Sequence, residues 1–362
     1  MDRKDEIIKL QMDVIQQMTQ TNLKRIADDL WGLPTLQAGG EPVVKHKDVH
    51  TGGNTAPAPS NAPAETQEVK ESMEDLKKEL ESYIGLAVVK HEVESLVNLV
   101  TIQKLRLENN LPVEDLSLHL VFSGNPGTGK TMIARLMSRI YKVLGILSKG
   151  HLVETDRSGL VAGYVGQTAI KTSEVIQKAL GGVLFIDEAY ALTGNADNDY
   201  GQEAVNTLLK AMEDNRDDLV VIVAGYPALM RGFIKSNPGF ESRFNRFLFF
   251  ADYSAREMLD IFDMRCKKSG YTLDDETHQL LEGYLQKFAE DNRTFGNARG
   301  IRNLFERAVS AQANRLAKQK NVSRDELMRL TGGDIRIAAG EEKQAEKTPP
   351  PTGNAPHALT NG

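Results

Sequence analysis

A chain of 362 residues has room for about two or three domains, and its 40% hydrophobic share is ordinary for a water-soluble globular protein. A formal net charge of −6 leaves no basic footprint, which argues against nucleic acid as the main partner. The lone Cys266 excludes an intrachain disulfide and fits a reducing compartment. The opening MDRKDEIIKL lacks the apolar core of a secretory signal. The apolar stretch near Leu219–Met230 falls short of the about 20 residues of a membrane span, so the expectation is a cytoplasmic protein with no membrane span.

In chain order, residues 1–33 place Ile8, Met12 and Ile15, then Leu23, Ile26 and Leu30, at the spacing of an amphipathic helix. Residues 34–71 lose that periodicity, and GGNTAPAPSNAPAET reads as a flexible linker. From 72 to 253, apolar runs alternate with helical patterns. His119–Ser123, His151–Thr155, Val183–Asp187, Leu219–Ala224 and Arg246–Phe250 read as strands, and Lys130–Leu144, Thr168–Leu180 and Gln202–Asn215 as helices. The runs lack strict apolar/polar alternation, so they are expected to be buried on both faces of a five-stranded parallel sheet covered by helices. From 254 to 337 only helical patterns occur, at 254–268, 275–290, 298–319 and 323–330, so a small all-helical domain is expected. Residues 338–362 read as a disordered tail.

Gly124-Asn125-Pro126-Gly127-Thr128-Gly129-Lys130-Thr131 is a G-x-x-x-x-G-K-[ST] phosphate loop between an apolar run and an amphipathic helix. Its glycines let successive N–H groups turn toward a phosphate, and the helix that follows presents its positive end. Lys130 then reaches the β- and γ-phosphates of ATP, and the Thr131 hydroxyl holds Mg²⁺. The apolar run Val183–Ile186 ends in Asp187 and Glu188. Acids at the end of a buried strand are costly unless something pairs with them. With a phosphate loop upstream, Asp187 is expected to hold the Mg²⁺ and Glu188 to polarise the attacking water. That pair suits repeated ATP hydrolysis better than a slow switch.

The succession GNPGTGKT, YVGQT, GGVLFIDEAYAL, NPGFESRF and FGNARGIRN resembles the CbbX/CfqX branch of AAA+ ATPases, which includes the stage V sporulation protein K type and the red-type Rubisco activases. The likeness spans about residues 74–320. It implies a five-stranded αβα domain with a helical lid, assembled as a homo-hexameric ring that remodels a protein client through ATP-driven pore-loop motion. The client is not identifiable from the residues. The resemblance also implies roles that spacing does not. Tyr164-Val165-Gly166 corresponds to a client-gripping pore loop. Arg243 corresponds to an arginine finger offered to the next subunit, with Arg246 a second candidate. Arg299 corresponds to a lid arginine facing the phosphates, with Arg302 able to take its place. Ile84-Gly85-Leu86 corresponds to an adenine-lining segment. Gly225 and Tyr226 stand where many relatives carry a polar sensor, so that role stays unassigned. Two alternatives remain open: a red-type Rubisco activase, and a nucleotide-gated scaffold recruited through the N-terminal helix.

Overall fold

The strand order explains how each apolar run is used. The computed structural model describes residues 71–341, apart from 165, 194–199, 291 and the side chains of 292 and 293. The expected N-terminal helix, nearly all of the linker, Val165 and the tail beyond 341 lie outside the described residues.

Five parallel strands, β1 (Leu120–Gly124), β2 (Leu152–Thr155), β3 (Val183–Ile186), β4 (Val220–Gly225) and β5 (Arg246–Phe250), pair in the order β2-β3-β4-β1-β5. Leu120 stands opposite Ile222 on one side and Arg246 on the other. Every residue of β3 and β4 is buried, as expected for strands covered on both faces. Successive side chains point to opposite faces. Phe122, Phe185 and Ile222 therefore join one core cluster, and Val121, Leu184 and Val221 the other.

Burial on both faces does not extend to the two edge strands. In β5, Leu248 and Phe250 are buried while Phe247 and Phe249 are about half exposed, at 53% and 52%. In β2 no residue is fully buried. An edge position removes one neighbour, and here helices cover β5 on one face only.

The first cluster is roofed by α1 (Met73–Ser82), α2 (Ala87–Glu108) and α3 (Lys130–Val143). On α2, Val89, Val93, Leu96, Val97 and Val100 form one buried stripe. Sequence reading placed neither α1 nor α2. Glu71, the last residue of the expected linker, is engaged by Arg139 of α3, which also binds Glu79 of α1. The second cluster is covered by α4 (Arg157–Leu160), α5 (Gln167–Ala179), α6 (Gly201–Asp214), α7 (Pro227–Lys235) and α8 (Pro238–Arg243).

After β5 the described residues are helical: α9 (Ala255–Ser269), α10 (Asp275–Glu290), α11 (Asn292–Phe295), α12 (Asn297–Leu316), α13 (Arg324–Met328) and α14 (Gly332–Ala339). Ser254 and Glu257 form a capping box that starts α9. The last helix, α14, reaches Ala339, inside the segment expected as tail. Its N-cap Thr331 and Asp334 form another box, so helix begins across Gly332-Gly333 despite their low propensity. The lid's Met258, Phe262, Ile301 and Leu304 share a cluster with Leu120 and Phe122, so the apolar core runs from sheet to lid. No helix among the described residues is long and apolar enough to cross a membrane.

Candidate nucleotide site

The phosphate loop leaves the C-terminal end of β1, an interior strand between β4 and the edge strand β5. Gly127 (φ 75°) and Gly129 (φ 94°) adopt left-handed backbone that side chains other than glycine rarely accept. At Gly127 a Cβ would also collide with the carbonyl oxygen of Gly296. Gly129 is the N-cap of α3, so the helix's unpaired N–H groups open toward the loop. Thr128 is fully buried, and its hydroxyl donates to the Asn125 carbonyl at 2.8 Å. Lys130 Nζ donates to the carbonyls of Gly124 and Asn125 at 2.9 and 2.8 Å. Burial lowers the Lys130 pKa, and nearby Arg299 adds to that effect, while Asp187, Glu188 and Asp252 oppose it.

The acidic pair sits just past β3, which ends at Ile186. The Asp187 N–H donates to the Thr155 carbonyl at 2.8 Å, extending the β2–β3 ladder by one bond. The Glu188 N–H donates to Asp187 Oδ1 at 3.0 Å. Glu188 itself lies at φ 49°, ψ 40°. A left-handed, non-glycine residue costs on the order of 1–2 kcal/mol, and such strain concentrates at functional sites. Here it accompanies an abrupt turn from the strand into a short 3₁₀ segment, Ala189–Leu192.

A cleft of about 430 Å³ brings these parts together. Its walls include Gly124, Pro126, Gly127, Gly129, Lys130 and Thr131 from the loop, Asp187 and Glu188 from just past β3, and Arg299 and Arg302 from the lid. Arg302 Nε is held by Glu306 at 2.8 Å, one turn along α12. Arg299 makes no salt bridge among the described residues. Gly225 and Tyr226 also line the cleft, so the position that sequence left without a role does face the same space.

Ile84, Gly85 and Leu86 are not part of that wall. Leu86 nevertheless reaches the phosphate loop, with its side chain 3.6 Å from where a Cβ on Gly129 would stand. Tyr164 is 73% exposed, and Gly166 (φ 77°) is the N-cap of α5.

Arg243 lies elsewhere. It ends α8, and its Nη2 donates to Glu213 Oε2 at 2.6 Å. The fold thus gives it a carboxylate from the end of α6. Arg243 Nε is buried without an acceptor among the described residues, as is Arg246 Nε. Beside Arg243, His119 is buried, and its Nδ1 accepts from the Val221 N–H at 3.0 Å. Burial pulls its pKa down to about 4, with the Arg243 charge adding to the effect.

Two residues that sequence reading passed over also touch the loop. Asp252 accepts from Asn125 Nδ2, and Asn297 donates to Pro126 O and to Asp252. Each is a single polar residue between apolar neighbours, with no spacing pattern to mark it.

A parallel sheet in which an interior strand feeds a phosphate loop, faced by an acidic strand end and a helical lid, defines a P-loop nucleotide hydrolase. Residues 120–251 match the model of the ATPase family associated with various cellular activities (AAA), and 254–345 match the AAA lid domain. The chain is 44% identical over 269 residues to the protein CbbX of Cereibacter sphaeroides, covering 74% of this chain and 86% of that one. It is 43% identical over 270 residues to a CfxQ homolog of Galdieria sulphuraria, covering 74% and 87%. It is 38% identical over 267 residues to stage V sporulation protein K of Bacillus subtilis (strain 168), covering 73% and 83%. A crystal structure of the FIGL-1 AAA domain in complex with ADP is similar in fold, with a TM-score of 0.50 at 18% identity, covering 77% of this chain and 96% of that one. The chain belongs to the AAA ATPase family, in the branch that holds CbbX, CfxQ and stage V sporulation protein K. It binds nucleotide, and its reaction is ATP hydrolysis harnessed to remodelling a protein client.

Proposed function

We propose that the chain works as a homo-hexameric ring in which each cleft takes ATP with Mg²⁺ and a neighbouring subunit completes the site. The carrying observation is that one cleft gathers Lys130, Thr131, Asp187, Glu188 and Arg299 from three separate parts of the chain. The cradle suits an anion: Gly127 and Gly129 keep its wall free of side chains, and among the described residues the Lys130 ammonium is answered there by carbonyl dipoles and nearby carboxylates. In this reading Lys130 binds the β- and γ-phosphates, assisted by the N–H groups at the start of α3. The hard oxygens of Thr131 and Asp187 would hold Mg²⁺, which supplies neutralisation of phosphate charge when bound. Glu188 orients the attacking water and accepts its proton. Arg299 answers charge that develops on the transferred phosphoryl group.

Arg243 serves the next subunit. It precedes β5, and β5 pairs in parallel with β1 from Leu120 onward. It therefore sits at the opposite end of the strands from its own cleft, roughly 16 Å away for five residues of strand. A finger arginine delivered from a neighbour removes that distance. Tyr164, held out into solvent, supplies sequence-tolerant aromatic contact for gripping a client chain.

The test is the mass of Glu188→Gln in solution by light scattering, with and without ATP–Mg²⁺. A shift to about six subunits with ATP, together with ATP hydrolysis slowed about 100-fold or more, supports the ring. A monomer under both conditions removes the role of Arg243 across subunits.

A further inference from the structure

The outer turn of the phosphate loop is bonded to the start of the lid helix through two side chains that the assignment above leaves unused. Asn297 is fully buried, opens α12 and sits in left-handed backbone at φ 55°. Asparagine tolerates that conformation better than most residues. Both polar atoms of its side chain are engaged. Its Oδ1 accepts from the Tyr253 N–H at 2.9 Å, and its Nδ2 donates to Asp252 Oδ1 at 2.8 Å and to the Pro126 carbonyl at 3.3 Å. The Asp252 carboxylate accepts from Asn125 Nδ2 at 3.0 and 2.8 Å. Alongside, the Ala298 N–H donates to the Gly127 carbonyl at 3.2 Å. Asn125, Pro126 and Gly127 are thus each bonded either to the lid or to the segment leading into it.

Resting on the reading of the cleft as the ATP site, we propose that Asn297 and Asp252 are positioning residues that lock the first turn of the lid helix to the phosphate loop, so that the helix carrying Arg299 and Arg302 moves with that loop. Apolar contacts hold the lid to the sheet, but they are non-directional and permit sliding. The hydrogen bonds of the buried Asn297 fix orientation, because each broken one leaves an unpaired polar atom on that side chain. Arg299 and Arg302 follow Asn297 on the same helix, so the direction set at its first turn is passed to both guanidinium groups.

The chemistry demands an amide. Aspartate at 297 would turn lone pairs toward Asp252 and the Pro126 carbonyl. Alanine would be strained at positive φ and would leave three partners unanswered. Glycine keeps the backbone conformation and removes only the amide, which makes it the clean test.

The experiment uses the full chain in a Cys266→Ala background, with nitroxide labels at Lys210→Cys on α6 and Lys318→Cys beyond α12, diluted with unlabelled chain. Pulsed electron resonance reads the distance between sheet domain and lid, without nucleotide and with ADP. The parent is expected to give one narrow distribution that shifts with ADP. Asn297→Gly is expected to broaden it at least twofold and to lose the shift, while kcat falls at least tenfold and ATP affinity changes less than threefold. Asn297→Asp is expected to behave at least as badly, and the reciprocal Asn297→Asp with Asp252→Asn to narrow the distribution in part, because it restores the bond between 252 and 297 but not the one to the Pro126 carbonyl. An unchanged width in Asn297→Gly, or a reciprocal pair no better than Asn297→Asp alone, overturns the lock. The nucleotide-free comparison needs no ATP. A parent that fails to bind ATP would therefore sink the site reading and leave this test standing.

Discussion

The cleft and the corner around Arg243 lie at opposite ends of the same strands and are filled in opposite ways. In the cleft, Lys130 meets only carbonyls at hydrogen-bonding distance, Asp187 and Glu188 are exposed, and Arg299 makes no salt bridge among the described residues. At the corner, Arg243 is clamped to Glu213 beside a buried histidine and tilted phenylalanine rings, with Phe240 and Phe244 5.7 Å apart. The groups assigned to a subunit's own nucleotide are left facing open space. The group assigned to the neighbour's nucleotide is kept in a local ion pair. With Glu213 exposed, that pair is a weak restraint that an incoming phosphate can displace. The corner is a holding position and the cleft a receiving one.

The largest expected effect breaks the receiving side. Lys130→Ala should weaken ATP binding at least about 100-fold, or roughly 2.7 kcal/mol, measured by titration calorimetry; unchanged affinity would mean that the loop does not carry the phosphates. Next comes the holding side. Arg243→Ala should lower kcat by about 10³ while the ATP dissociation constant stays within about threefold, because the residue lies outside its own cleft. A loss of affinity as large as that of Lys130→Ala would place both residues in one site and erase the contrast.

The smallest effect sharpens the description of the corner. The folded state holds His119 near pKa 4 against an ordinary 6.5, so between those values the unfolded chain binds a proton that the native chain does not. Stability should therefore be constant with respect to this group above pH 6.5 and should fall as the pH drops from 6.5 toward 4. The total loss is on the order of 3 kcal/mol. Urea denaturation of the parent and of His119→Asn across that range checks it; equal slopes would remove the histidine as the source.

The legible parts of this molecule share a feature: each is written as a pattern. The phosphate loop combines glycines, a lysine and a threonine at set spacing, and β3 and β4 are unbroken apolar runs. Both can be read because local chemistry demands several residues together. The stripe of α2 follows the same rule, but it lies outside the strand–helix alternation and was passed over. The half exposure of β5 was not legible. Arg246–Phe250 is as apolar as the central strands, and only the order β2-β3-β4-β1-β5 makes it an edge. Glu213 as the partner of Arg243, and Asn297 with Asp252 as the clasp of loop and lid, were equally hidden. These contacts join residues 30 and 45 positions apart in the chain, and no periodicity marks either end.

The sequence by itself determined the reaction and the main parts that perform it. The backbone of a phosphate loop and the acids at a strand end need particular side chains wherever they are folded. Only the tertiary structure decided which of those parts share a cavity, which arginine lines the cleft and which lies away from it. Those relations depend on the order in which parallel strands pack and on where the chain crosses between them, and no short stretch of residues encodes that.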